Sequence, residues 1–167
     1  MADLLAIYLN DHLAGAVAGC ELAGRIAGQN KRDERFGPDL DGLAVEVRED
    51  RETLRELLRH LAIGEDRIKQ LGTWTLEKIG RLKLNGSLLG YSPLSRVEEL
   101  EAMRMAVTGK RLMWVALREL APQDPRLQVD ETERMIERAD RQLETIERCH
   151  RLAVDEAFVA GEGKTAA

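Results

Sequence analysis

SPLSRVEELEAMRMAVTGKRLMWVALRELAP, residues Ser92–Pro122, reads as one long helix with a defined start and a defined stop. Ser92 can accept a hydrogen bond from a free N–H of the first turn, and Pro93 occupies the position where a missing N–H costs nothing. Pro122 and Pro125 end the run. Between them, apolar residues fall on two faces. One carries Leu94, Val97, Glu101, Met105, Thr108, Leu112 and Val115. The other carries Leu100, Met103, Val107, Trp114 and Leu117. A helix that is apolar on two sides is either central or part of an interface. The second face is expected to serve an interface, with Trp114 as its anchor and Trp74 as a second aromatic available for contacts.

Working outward, the same periodicity of three and four recurs. A first helix is expected from about Asp3 to Gly28, with Leu5, Leu9, His12, Ala16, Gly19, Ala23 and Ala27 inward. Its centre is made of alanine and glycine, which suits close approach of a neighbouring backbone. The polar run 29–38 reads as a loop. Asp39 can cap a second helix reaching about Ala62, with Leu40, Leu43, Val47, Asp50, Leu54, Leu57 and Leu61 inward and Gly64 as its stop. A third helix fits Glu65–Leu84, with Ile68, Leu71, Thr75, Ile79 and Leu82 on one side, and Asn85-Gly86 ends it. The quoted stretch is the fourth. A last helix starts at the capping-box-like Asp130 and Glu133. Its inward residues are Thr132, Met135, Ala139, Leu143, Ile146, His150, Ala153 and Ala157. No stretch alternates as a strand does. The reading is an all-α, single-domain bundle over residues 1–160, with a disordered tail at 161–167.

Composition limits the partners. The chain has 167 residues and a net charge of -5, which argues against nucleic acid, because neutralising phosphate needs a basic surface. No apolar run is long enough for a bilayer span. The two cysteines, Cys20 and Cys149, are far apart and form no C-x-x-C pair, which points to a reducing, cytoplasmic setting.

Four helices each carry an ionisable residue in the inward stripe: His12, Asp50, Glu101 and His150. Burying such groups without partners costs several kcal/mol, so they are expected to meet one another, a cation or water. With a rise of about 1.5 Å per residue, and with the second and fourth helices pointing the same way, Asp50, Glu101 and His150 come to similar heights. Glu46 and Glu147 lie one turn away at the stripe edge, and His12 lies apart.

This arrangement resembles the ferritin-like superfamily, whose bundles place a crossover between the second and third core helices. Its di-iron members use carboxylates from each helix and two Glu-x-x-His pairs. Glu147-Arg148-Cys149-His150 is one such pair, and Glu101 matches the lone carboxylate of the preceding core helix. The second helix offers Glu46, Glu49 and Asp50 without a histidine three residues on. The first helix has Gly19 and Cys20 at the height where a glutamate is expected. The chain also resembles small bacterial helical proteins with LNDHLAGA (Leu9–Ala16) near the N-terminus and an SPLSR–ELE segment (Ser92–Glu101), a likeness that implies no activity.

The resemblance implies a ferritin-like four-helix bundle with an additional helix in the crossover connection. Two functional readings stay open. In one, the inward polar residues form a structural layer and the protein acts through protein contacts or self-association, as a homo-oligomer without a cofactor. In the other, Glu46, Asp50, Glu101, Glu147 and His150 bind iron or manganese for oxidoreductase chemistry or metal storage.

Overall fold

The computed structural model describes residues 2–65 and 91–159. They form four helices: α1 (Ala2–Asn30), α2 (Gly37–His60), α3 (Pro93–Leu120) and α4 (Val129–Val154). One π-helical turn, Asp155–Val159, continues α4. There is no strand among the described residues. The helix expected over Glu65–Leu84 lies outside them apart from its first residue, and so does the tail 161–167.

The helix ends follow local chemistry, with some differences from the sequence reading. The Ser92 side chain accepts from Ser95 N at 3.1 Å and opens α3 as anticipated. At the end of α2 the stop is Ala62 rather than Gly64. Ala62 adopts φ 55°, and Ile63 N donates to Leu58 O at 2.9 Å, so the last carbonyls are satisfied by a Schellman-type return. α2 opens at Gly37 instead of after Asp39, with Pro38 in its first turn. Gly37 suits this tight approach, since a Cβ would stand 3.1 Å from both Asn30 O and Lys31 O. α4 begins after Gln128, without a side-chain cap, so Asp130 lies inside its first turn.

Side-chain contacts set the directions. The end of α1 meets the start of α3, where Arg96 Nε donates to Asn30 Oδ1 at 2.6 Å. The start of α2 meets the end of α4 through Arg148 Nη2 and Asp39 Oδ2 at 2.9 Å. α3 and α4 form an antiparallel hairpin, with His150 Nε2 3.2 Å from Glu101 Oε1. α1 and α2 are antiparallel across the short turn 31–36. The order is therefore up, down, down, up. α2 and α3 point the same way.

The helices are not flush. Asp39, in the first turn of α2, is level with Arg148, whereas Glu101, in the third turn of α3, is level with His150. α2 thus begins about two turns lower than α3. The space above it holds the 31–36 turn, whose Phe36 is fully buried beneath the Arg96 guanidinium, 4.1 Å from ring centroid to Cζ.

The core falls into two clusters. The upper one joins Ile26, Leu43, Val47, Leu100, Met103 and Ile146. The lower one joins Leu13, Leu54, Leu58, Met113, Trp114 and Leu117. This corrects the reading of α3. The Leu100–Met103–Val107–Trp114–Leu117 face is core, and Trp114 is 1% exposed, so it anchors packing inside the bundle. On the other face Val97 is buried, but Met105 is 71% and Leu112 57% exposed. α4 is likewise rotated: its buried line runs through Ala139, Gln142, Ile146, Cys149 and Ala153 instead of Leu143 and His150.

Candidate functional site: a buried polar layer

Asp50, Lys110 and Gln142 lie between the two core clusters. Each stands between core residues of its own helix: Val47 and Leu54, Val107 and Met113, Ala139 and Ile146. Asp50 is 3% exposed. Its Oδ2 accepts from Lys110 Nζ and from Gln142 Nε2, the latter at 3.0 Å. Lys110 Nζ also donates to Gln142 Oε1. Gln142 Nε2 reaches Glu46 Oε2 at 2.9 Å. Arg138 brings a second cation, with Nε 3.1 Å from Asp50 Oδ1. That approach is off the hydrogen-bond direction, so Oδ1 is neutralised by charge without gaining a donor. Arg138 continues outward to Glu49 and, at 3.8 Å, to Glu46.

Two cations thus face one buried carboxylate, and Glu46 and Glu49 at the surface balance the second. Burial lowers the pKa of Lys110 below its usual 10.5, and Asp50 opposes the shift. Lys110 thus donates to two oxygens of the layer, one from Asp50 and one from Gln142.

The other anticipated ligands stand elsewhere. Glu101 and His150 do meet, but at the surface: their side chains are 58% and 31% exposed. Glu147 is exposed and faces Arg151 at 3.8 Å. Along the axis this pair is separated from Asp50. Gln142 precedes His150 by eight residues, a rise of about 12 Å. The two-turn stagger of α2 accounts for this, because equal heights hold only if α2 and α3 start level. Among the described residues, no three of His, Cys, Asp and Glu are grouped so as to hold a metal ion.

His12 is half-buried, with its ring edge-on to Tyr8 at 4.6 Å between centroids. Burial lowers its pKa from 6.5, with Asp11 opposing. Cys149 is buried beside Asp39, and burial first, then that carboxylate, push its thiol up to about 11, which removes it as a nucleophile at neutral pH.

A second polar cluster lies at the upper end. Arg96, buried, donates through Nη1 to Glu156 Oε2 at 2.7 Å as well as to Asn30. Asn30 Nδ2 donates to Tyr91 Oη at 2.8 Å. Nearby, Glu99 pairs with Arg25 at 2.9 Å. Burial raises the pKa of Glu99 despite that arginine.

The residues that complete the layer, Lys110, Arg138 and Gln142, were not singled out by the sequence reading. Gln142 had a signal, since it follows Ala139 by three and precedes Ile146 by four. Lys110 and Arg138 had none, because their long side chains reach the layer from the edge of the apolar faces.

Comparison with protein-family models, with curated proteins and with solved structures found no match to this chain. Among the described residues no helix is long and apolar enough to cross a membrane.

Proposed function

We propose that this chain is a ferritin-like four-helix bundle, with a further helix in its crossover, whose polar layer is structural and whose work is done through protein contacts or self-association. The up-down-down-up order supports the ferritin-like topology. The observation that carries the functional reading is the closure of the layer. Asp50 engages Lys110, Arg138 and Gln142, which leaves its charge balanced without a metal ion. A buried carboxylate that faces two cations and accepts from an amide specifies which helices meet, and at what register.

Surface apolar residues supply the means of contact. Leu94 at the start of α3 and Leu152, Phe158 and Val159 at the end of α4 share the upper end of the bundle, and all four are exposed. Apolar residues left in water at one end favour association with a like surface.

Two measurements test the reading. Sedimentation velocity should show a self-associated species that Phe158→Glu dissociates. Melting temperature should be the same with chelator, iron or manganese. A metal-dependent rise that is lost in Glu101→Ala would favour the alternative, in which Glu46, Asp50, Glu101, Glu147 and His150 serve metal chemistry.

A further inference from the structure

A groove of about 360 Å³ lies between α1 and α3 and reaches α2. Its lining comes from Asp11 to Leu22 of α1, Val47 to Leu54 of α2 and Ala102 to Trp114 of α3. α1 rises while α2 and α3 descend, so the two ends of the groove differ in chemistry. The upper half is apolar, with Gly19, Leu22, Val47, Ala102, Met103 and Val107. The lower half holds every ionisable side chain of the lining: Asp11, His12, Asp50, Arg51 and Lys110. Trp114, of the lower core cluster, closes that end. Met103 to Trp114 is about 16 Å of helix, so a volume of about 360 Å³ makes the groove a narrow slot.

The lower half carries donors that lack acceptors. The Lys110 side chain is 17% exposed. Its ammonium has three N–H groups. Asp50 and Gln142 take two, and no third acceptor is bonded to it among the described residues. Trp114 lies one turn below and is 1% exposed, and its indole N–H has no acceptor among the described residues. A buried donor left unpaired costs about 1–3 kcal/mol, so an oxygen acceptor at this level is favoured. Charge favours an anionic one. Lys110 and Arg138 share the single buried carboxylate of Asp50, and Arg138 alone continues to Glu49. Asp11 also lines the groove, but it is exposed to solvent that screens it. Two other grooves, of about 340 and 300 Å³, lie beside α2 and α4. Arg134, Glu137 and Arg138 line one, and Asp39, Glu46 and Arg141 the other, so neither has an apolar half.

We infer that the α1/α3 groove binds a small amphipathic carboxylate, with an unbranched alkyl tail in the apolar upper half and the carboxylate beside Lys110 and Trp114. Glycine leaves room for the tail, since an added Cβ at Gly15 or Gly19 meets no atom of the described residues within 4 Å. Small-ligand sites occupy about 300–1,000 Å³, so this groove suits a small member of the class. The site is separate from the exposed apolar residues at the upper end of the bundle, and binding here does not depend on self-association there.

Decanoate titrated into the full-length protein by isothermal calorimetry should bind at one site per chain and raise the melting temperature. Decanol has the same tail without the charge and should bind at least about tenfold more weakly, and decylamine should not bind. Gly19→Leu puts a side chain into the tail half and should weaken decanoate at least about tenfold. The variant should keep its helix content, because leucine favours a helix more than glycine does. Lys110→Met should weaken decanoate and leave decanol unchanged; if that variant fails to fold, the ligand series and Gly19→Leu still decide. Absence of decanoate binding to the parent chain would overturn the inference. So would equal affinities for decanoate and decanol. Binding that survives Gly19→Leu but is lost in Phe158→Glu would also overturn it, by placing the molecule on the exposed apolar residues at the upper end.

Discussion

The two long seams of this bundle are closed by different physics. Between α2 and α4 the helices meet through a ladder of charge: Asp39 with Arg148, then Glu46, Glu49 and Asp50 with Arg138 and Gln142. Between α1 and α3 the lining is mostly small and apolar, with glycine, alanine and methionine beside His12, Asp50 and Lys110, around an open groove. Long charged side chains bridge a wide gap and still keep their heads in water, so the α2/α4 seam tolerates distance. Small residues cannot bridge anything. Among the described residues they leave a trough of about 360 Å³ between α1 and α3.

The contrast can be broken most severely at Asp50. Asp50→Ala strands Lys110 and Arg138 as half-buried cations without their shared carboxylate, and should cost about 3–5 kcal/mol in urea unfolding. A loss below about 1 kcal/mol would mean that the layer does not organise the α2/α4 seam. A smaller effect of opposite sign is expected at Gly42, on α2 beside the same seam, where an added Cβ meets no described atom within 4 Å. Gly42→Ala should raise stability by about 0.5–1 kcal/mol, read from the shift in unfolding midpoint at constant m-value.

At the outer rung the effect should be smaller. Asp39 and Arg148 are 39% and 49% exposed, so Arg148→Ala should change stability by under about 1 kcal/mol and lose even that in high salt. Equal losses for Arg148→Ala and Asp50→Ala would show that burial does not grade this ladder.

His12, at the groove on the other side, sharpens the comparison through pH. Its folded pKa lies below the unfolded 6.5, so the unfolded chain takes up the proton first and stability falls as pH drops through that window. The melting temperature should decline less between about pH 7.5 and about 5.5 in His12→Gln than in the parent. Superimposable pH profiles would place the ring in ordinary solvent.

Much of the bundle was legible in the sequence. The inward line of α2, from Leu40 to Leu61, is buried nearly as read, because one clear apolar stripe admits one orientation. α3 had two apolar faces, and periodicity alone could not rank them. Packing put Trp114 and Leu117 inside and left Met105 and Leu112 out, since only one face can meet both α4 and α1. The candidate site was half legible for the same reason. Asp50 was located, and Glu101 was correctly brought to His150. Their membership in one layer was not, because it depends on the relative height of α2 and α3, which Phe36 and the 31–36 turn set by filling the upper end.

By itself, the sequence determined that the chain is helical, where each described helix lies to within a few residues, and that Asp50 would need a partner inside. These follow from local periodicity, caps and the cost of an unpaired charge. Only the tertiary structure decided which partner: Lys110, Arg138 and Gln142 come from two other positions in the fold, and their convergence depends on helix rotation and stagger. Rotation and stagger are set by how volumes fill the space between helices, a property of the assembled core that no single stretch of sequence contains.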